Sequence, residues 1–221
     1  MGEGGDDTLT GDSGNDAVSG GAGRDSLDGG WGNDTIIGGF GHDVITGGPG
    51  DDTVRAGRGD DTVAGDDGAD VLVGEPGNDL LRGGDEDDTL TGGAGADRLE
   101  GDAGDDALAG NEGADLLLGG DGADVLRGFG ENDTLEGGPG ADGLSGGLGA
   151  DNVVDETFAS CTDPALSLCQ VEEPVDLCAT CESDDDCGDG LVCLPGSFDC
   201  TGDGHRCVAV DDFAVCDGGI Y

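Results

Sequence analysis

A nine-residue beat runs from Gly2 to Val154 without an insertion or deletion, seventeen copies in all. A short period held this long constrains the fold more than any local signal, because each copy is one unit of a stack and cannot bury its own apolar face. The phase is strict. The sixth position is Asp in every copy: Asp7, Asp16, Asp25, Asp34, Asp43, Asp52, Asp61, Asp70, Asp79, Asp88, Asp97, Asp106, Asp115, Asp124, Asp133, Asp142 and Asp151. The eighth is Leu, Ile or Val in every copy, from Leu9 to Val153. The first is Gly except at Ala56, and the fourth is Gly except at Glu86 and Glu131. The consensus reads G-G-x-G-x-D-x-U-x, with U a large aliphatic residue.

Each copy divides into two kinds of chemistry. Glycines in the first six positions permit positive φ and close backbone approach, as a tight ion-binding loop needs. Proline enters only at the third position, as Pro49, Pro76 and Pro139. That placement suits a turn and would damage a central strand. The closing triplet x-U-x alternates, so the eighth residue points one way and its neighbours the other. Inward aliphatic residues would then stack as a ladder. Carboxylates and backbone carbonyls are hard oxygen ligands, the kind that Ca²⁺ takes in sets of about six to eight. A solvated acidic face would not hold Asp at one phase through every copy.

Among the copies that fit every fixed position are Gly29-Gly30-Trp31-Gly32-Asn33-Asp34-Thr35-Ile36-Ile37 and Gly38-Gly39-Phe40-Gly41-His42-Asp43-Val44-Ile45-Thr46. The repeat resembles the hemolysin-type, or RTX, calcium-binding nonapeptide, over residues 2–154 of 221. The resemblance implies an all-β fold, a parallel β-roll with two repeats per turn. The six-residue loop would bind calcium and the last three residues would form a short strand. It also implies that each ion sits between loops of adjacent turns, held by the seventeen Asp residues named above. Nine odd and eight even repeats then leave eight and seven gaps, or up to about fifteen inter-turn Ca²⁺ sites. Glu86 and Glu131 replace a loop glycine and Phe129 replaces another, which sets the loops around Asp88 and Asp133 apart as weaker sites. Eight and a half turns would make a roll about 40 Å long at ~4.8 Å per strand.

Charge makes the ions a condition for folding. Residues 2–154 carry 36 Asp and Glu against 6 Arg, and Lys is absent. The core is a single aliphatic column with few aromatics. Such composition is disordered unless something neutralises it. Fifteen divalent ions would carry about the compensating charge, and metal-binding energy would then be folding energy.

At about Asp155 the composition changes. All nine cysteines lie beyond it: Cys161, Cys169, Cys178, Cys181, Cys187, Cys193, Cys200, Cys207 and Cys216. This density predicts that residues 155–221 form a cap and a small, loop-rich, disulfide-stapled domain, with one thiol left over. Phe158, Leu166 and Leu168 are candidate capping residues. Cys178-Ala179-Thr180-Cys181 reads as part of the disulfide framework, since no second C-x-x-C exists to complete a zinc site. The run Asp199-Cys200-Thr201-Gly202-Asp203-Gly204 has the opening spacing of a calcium loop. Val210 stands where that loop needs its bidentate Glu, so an acidic turn is expected.

No catalytic constellation is present, and the chain is expected not to be an enzyme. His42 fills a variable loop position and His205 lacks a partner pattern. H-E-x-x-H, G-x-S-x-G and a phosphate loop are absent. A formal net charge of −45 repels nucleic acid. No apolar stretch reaches the length of a membrane span. Ice binding would need an ordered row of outward Thr, whereas one face runs Ala17, Thr35, Thr53, Val71, Thr89, Ala107, Val125, Gly143. The expected function is that of an extracellular or cell-surface calcium-binding β-roll. It would act as a structural, adhesive or export-folding module, with cell-surface or matrix components as partners. The alternative is the C-terminal portion of a larger secreted enzyme or toxin. That fits the absence of a signal-peptide pattern before the first repeat.

Overall fold

The computed structural model describes residues 1–154 and two further strands, Cys207–Val210 and Phe213–Cys216. The expected capping residues, the C-x-x-C pair and the acidic turn lie outside the described residues. The chain divides into two compact units, Met1–Thr157 and Phe158–Tyr221. In the second, Cys207–Val210 and Phe213–Cys216 pair antiparallel with Cys207 opposite Cys216.

The first unit is an all-β parallel solenoid of about eight turns, with no helix among the described residues. Odd repeats build one sheet. Its nine strands, in order, are β1 (Thr8–Thr10), β3 (Ser26–Asp28), β5 (Val44–Thr46), β7 (Thr62–Asp67), β9 (Leu80–Asp85), β11 (Arg98–Ala103), β13 (Leu116–Asp121), β15 (Thr134–Glu136) and β17 (Asn152–Val154). Even repeats build the other, from β2 (Ala17–Ala22) through β4 (Thr35–Phe40), β6 (Thr53–Arg58), β8 (Val71–Pro76), β10 (Thr89–Ala94), β12 (Ala107–Glu112) and β14 (Val125–Gly130) to β16 (Gly143–Leu148). Each strand pairs in register with the one 18 residues on, as in Leu90↔Leu108 and Leu99↔Leu117. Two repeats therefore make one turn.

The eighth-position aliphatics form the core. Val18 through Leu135 are buried without a break, Leu9 and Leu144 pack against them partly exposed, and Val153 is exposed. Ends of a stack lose one neighbour, so burial fades there. Burying each interior side chain contributes ~1.5–3 kcal/mol. Ala56, at a first position, joins this core.

Strand length differs from the expected triplet. Most strands hold six residues, because pairing continues into the first three positions of the next repeat, as in Gly39↔Gly57 and Phe40↔Arg58. The third-position N–H supplies one of these bonds, for example from Trp31 to the Asp12 carbonyl at 3.0 Å. Proline has no such donor. Accordingly the ladders in which Pro49, Pro139 and Pro76 would have to donate to the preceding turn end early: β3–β5 at Asp28↔Thr46, β13–β15 at Leu118↔Glu136, and β6–β8 at Arg55↔Val73 although β8 runs on to Pro76.

Candidate metal-binding loops

The loops between strands fall into two columns, each repeating every 18 residues. Their backbone turns through left-handed conformations at the second and fourth positions. Asp12, Asp66, Glu75, Asp102, Asn111 and Phe129 adopt positive φ at the second, and Glu86 and Glu131 do so at the fourth, with φ of 83° and 75°. Asp and Asn accept this conformation more readily than other L-residues, while Glu and Phe carry its steric cost. The fourth position is also crowded. A Cβ added to Gly32 would stand 2.5 Å from the Gly14 carbonyl oxygen one turn back.

The sixth-position Asp residues lock the turns together. From Asp7 to Asp133, the backbone N–H of each donates to Oδ1 of the Asp one turn further on: Asp7 to Asp25 at 2.8 Å, Asp52 to Asp70 at 2.7 Å, Asp133 to Asp151 at 3.0 Å. The other oxygen is different. Oδ2 is buried and has no hydrogen-bond partner at every repeat from Asp7 to Asp133. Such groups are rare in folded proteins and costly, and a whole row of them demands a partner of positive charge.

Burial raises the carboxyl pKa values, and the charges of stacked neighbours add to it, against the lowering effect of the Asp–Asp backbone bond. Asp52, Asp61, Asp97 and Asp106 are pushed up to about 6, and Asp70, Asp79 and Asp88 to about 7. Asp43, Asp115, Asp124 and Asp133 are raised for the same first reason. At neutral pH each such site gains from either a proton or a cation.

The donor chemistry fits calcium. A Cβ added to Gly29 would lie 2.5 Å from Asp34 Oδ2 and 2.6 Å from the Gly47 carbonyl oxygen one turn on. A first-position glycine thus leaves no room for a side chain, and a carboxylate oxygen and the carbonyl oxygen of the next turn draw together beside it. These are hard oxygen donors, suited to Ca²⁺ and not to softer metals. Among the described residues no three His, Cys, Asp or Glu side chains converge on one point. Each interior loop buries one carboxylate, that of its sixth-position Asp, so the remaining buried ligands of any ion would be backbone carbonyls.

The structure places all seventeen sixth-position Asp residues in the two columns. Those flanked by Glu86 and Glu131 keep the ladder: the Asp70 N–H reaches Asp88 Oδ1 at 2.7 Å and the Asp115 N–H reaches Asp133 Oδ1 at 2.9 Å. The substitutions are absorbed by the backbone.

A second ladder is invisible in the consensus. Fifth-position side chains accept the backbone N–H of the fifth residue one turn on, as Asp60 Oδ1 does from Asn78 at 2.9 Å and Asn78 Oδ1 from Ala96 at 2.9 Å. His42 takes the same place, its Nδ1 accepting the Asp60 N–H at 2.8 Å. Its engagement is structural. On the sheet faces, Arg82 and Arg98 both grip Glu100, and the Arg55 Nε donates to Glu75 at 3.0 Å. These pairs were signalled by nothing in the repeat.

The comparison with known families agrees with this geometry. The family described as RTX calcium-binding nonapeptide repeat (4 copies) matches residues 1–27, 28–63, 46–81, 64–99, 82–117, 100–128 and 118–153. No curated protein matches the chain. No helix among the described residues is long and apolar enough to cross a membrane. The uninterrupted matches, on the same phase as the two Asp columns, make the chain a member of the RTX calcium-binding nonapeptide repeat family.

Proposed function

We propose that the chain is a secreted, non-enzymatic module that folds on binding Ca²⁺ and works as a structural or adhesive β-roll, or as a device that completes folding after export. One observation carries this reading: two columns of buried Asp Oδ2 atoms without a partner. All seventeen column Asp residues are assigned as ligands, at up to about fifteen inter-turn sites. Their Oδ2 atoms and the first-position carbonyls hold the ions, and calcium supplies the charge that lets the turns stack. The surroundings that suit this chain are rich in calcium and oxidising, because the cysteine-dense residues 155–221 are suited to disulfides. Cell-surface or matrix components are the proposed partners.

The test is far-UV circular dichroism of the full chain during a calcium titration after chelation. The expected course is a disordered spectrum that turns β-rich, cooperatively, as calcium is added. A β-rich spectrum at neutral pH that ignores a strong chelator would overturn the reading.

A further inference from the structure

Ala56 is the one first-position residue in the seventeen repeats that is not glycine. The sixteen glycines share a common surrounding. A Cβ on Gly38 would meet Asp43 Oδ2 at 2.6 Å, and one on Gly29 would meet Asp34 Oδ2 at 2.5 Å and the Gly47 carbonyl oxygen at 2.6 Å. The pattern holds down both columns, with Gly47 facing Asp52 Oδ2 and Gly65 facing Asp70 Oδ2. At Ala56 that methyl is real. Ala56 is fully buried and belongs to the aliphatic core cluster, and the 18-residue register of the glycines puts Asp61 Oδ2 and the Gly74 carbonyl on that same side of residue 56.

Two further facts bear on the gap between loops 56–61 and 74–79. Asp61 itself has not swung away. It still accepts the Asp43 N–H at 2.7 Å and its own N–H still reaches Asp79 Oδ1 at 2.8 Å, so its Oδ2 remains buried and without a partner. The carboxylate is therefore presented as in the other repeats, but with a methyl group on the side that is bare elsewhere. Next to the gap, the β6–β8 ladder stops at Arg55↔Val73, the residue before Ala56. The β4–β6 and β8–β10 ladders on either side of it continue for six-residue strands, to Phe40↔Arg58 and Ala94↔Pro76. Pro76, which lacks an N–H, accounts for that stop. Strand pairing and cation cradle are thus both reduced at one level of the stack.

We propose that Ala56 weakens the cation site at Asp61 and divides its column of loops into two separately stabilised blocks, residues 2–61 and residues 74–151. This rests on the calcium reading above. Partly blocked access to Oδ2 makes the ion in this gap the last to enter and the first to leave. In a solenoid, whose stability is a sum of nearest-neighbour terms, one weak interface is where cooperativity breaks.

The experiment compares the full chain with its Ala56→Gly variant, both calcium-loaded. Bound calcium is counted by elemental analysis after dialysis, and release is followed by stopped flow into a fluorescent chelator. The wild-type chain should release one ion at least tenfold faster than the rest. Ala56→Gly should abolish that phase and lower the calcium midpoint. The reciprocal Gly38→Ala variant should create a second fast-released ion. A merely structural alanine predicts the opposite direction for Ala56→Gly, because glycine adds freedom to the unfolded chain. Identical ion counts and release profiles in wild type and Ala56→Gly overturn the proposal. Failure of either chain to take up calcium removes the calcium reading, and the proposal with it.

Discussion

The backbone N–H of Asp61 donates to Oδ1 of Asp79 at 2.8 Å, one full turn along the chain, while Oδ2 of Asp79 is buried with no partner. One carboxylate thus has two duties. One oxygen fixes the spacing of the turns, and the other presents charge to the space between them.

Asp79→Asn separates those duties. The amide oxygen can still accept the Asp61 N–H, but the anionic ligand is gone. The calcium midpoint for folding should rise about tenfold, equivalent to ~1.4 kcal/mol, while the fully loaded spectrum stays β-rich. Isothermal calorimetry and circular dichroism check both halves. An unchanged midpoint would deny Asp79 a role as ligand.

The pH dependence of the metal-free chain follows from the raised carboxyl pKa values. Folded Asp70, Asp79 and Asp88 titrate at about 7, against an ordinary value of 3.8. Between these limits the folded state holds protons that the unfolded state has released, so stability falls as pH rises. It is fully present below the unfolded value and lost once pH passes about 7. Acidifying the chelated chain from pH 7.5 to pH 5 should therefore raise its β-signal, and calcium affinity should drop over the same range as protons compete. Circular dichroism in chelator, kept above the sequence pI of about 4.1, reads the first effect. A chelated chain equally disordered at both pH values would contradict it.

Leu81 is fully buried in the middle of the aliphatic column. Leu81→Ala should cost ~2–5 kcal/mol in saturating calcium, by lost transfer energy and a residual cavity. Val153→Ala at the exposed end should cost under ~1 kcal/mol. Urea denaturation of the two variants gives the comparison, and equal losses would mean that the column is not the core.

Glu86 and Glu131 hold left-handed backbone at fourth positions that glycine occupies elsewhere. Glu86→Gly should relieve ~1–2 kcal/mol of that conformational cost, partly offset by the added freedom of glycine in the unfolded chain. The calcium-loaded melting temperature should rise. Gly59→Ala, with φ of 131° and the Gly41 carbonyl in the way of a Cβ, should lower it. A thermal scan of both variants in calcium is sufficient, and shifts of the same sign would reject the argument.

The parts of this molecule legible from sequence are those that depend on a period of nine. Position eight had to face inward because its neighbours alternate around it, and Leu27 through Leu135 do so. The Asp phase announced the two columns. Features set by the 18-residue turn were hidden. Whether Asn78 meets Asp60, or Arg82 meets Glu100, depends on which residues stand one turn apart, and the consensus leaves those positions free. Strand length was underestimated for a related reason. The first three positions look like loop because they are glycine-rich, yet Gly39 and Phe40 pair with Gly57 and Arg58. The prolines were more informative, since Pro49 and Pro139 do follow the shortened strands.

Pro76 also gives the solenoid a direction of failure under load. At the level between the turn holding β5 and β6 and the turn holding β7 and β8, the ladders run only from Val44↔Thr62 to Thr46↔Ala64 and from Thr53↔Val71 to Arg55↔Val73. Both sheets are thin there at once. Among the levels where both sheets continue, the strand ladders are shortest here, so tension transmitted along this chain would be shed at that level before the six-residue levels that follow it. The roll would lengthen in two steps, with each fragment keeping its own stacked turns.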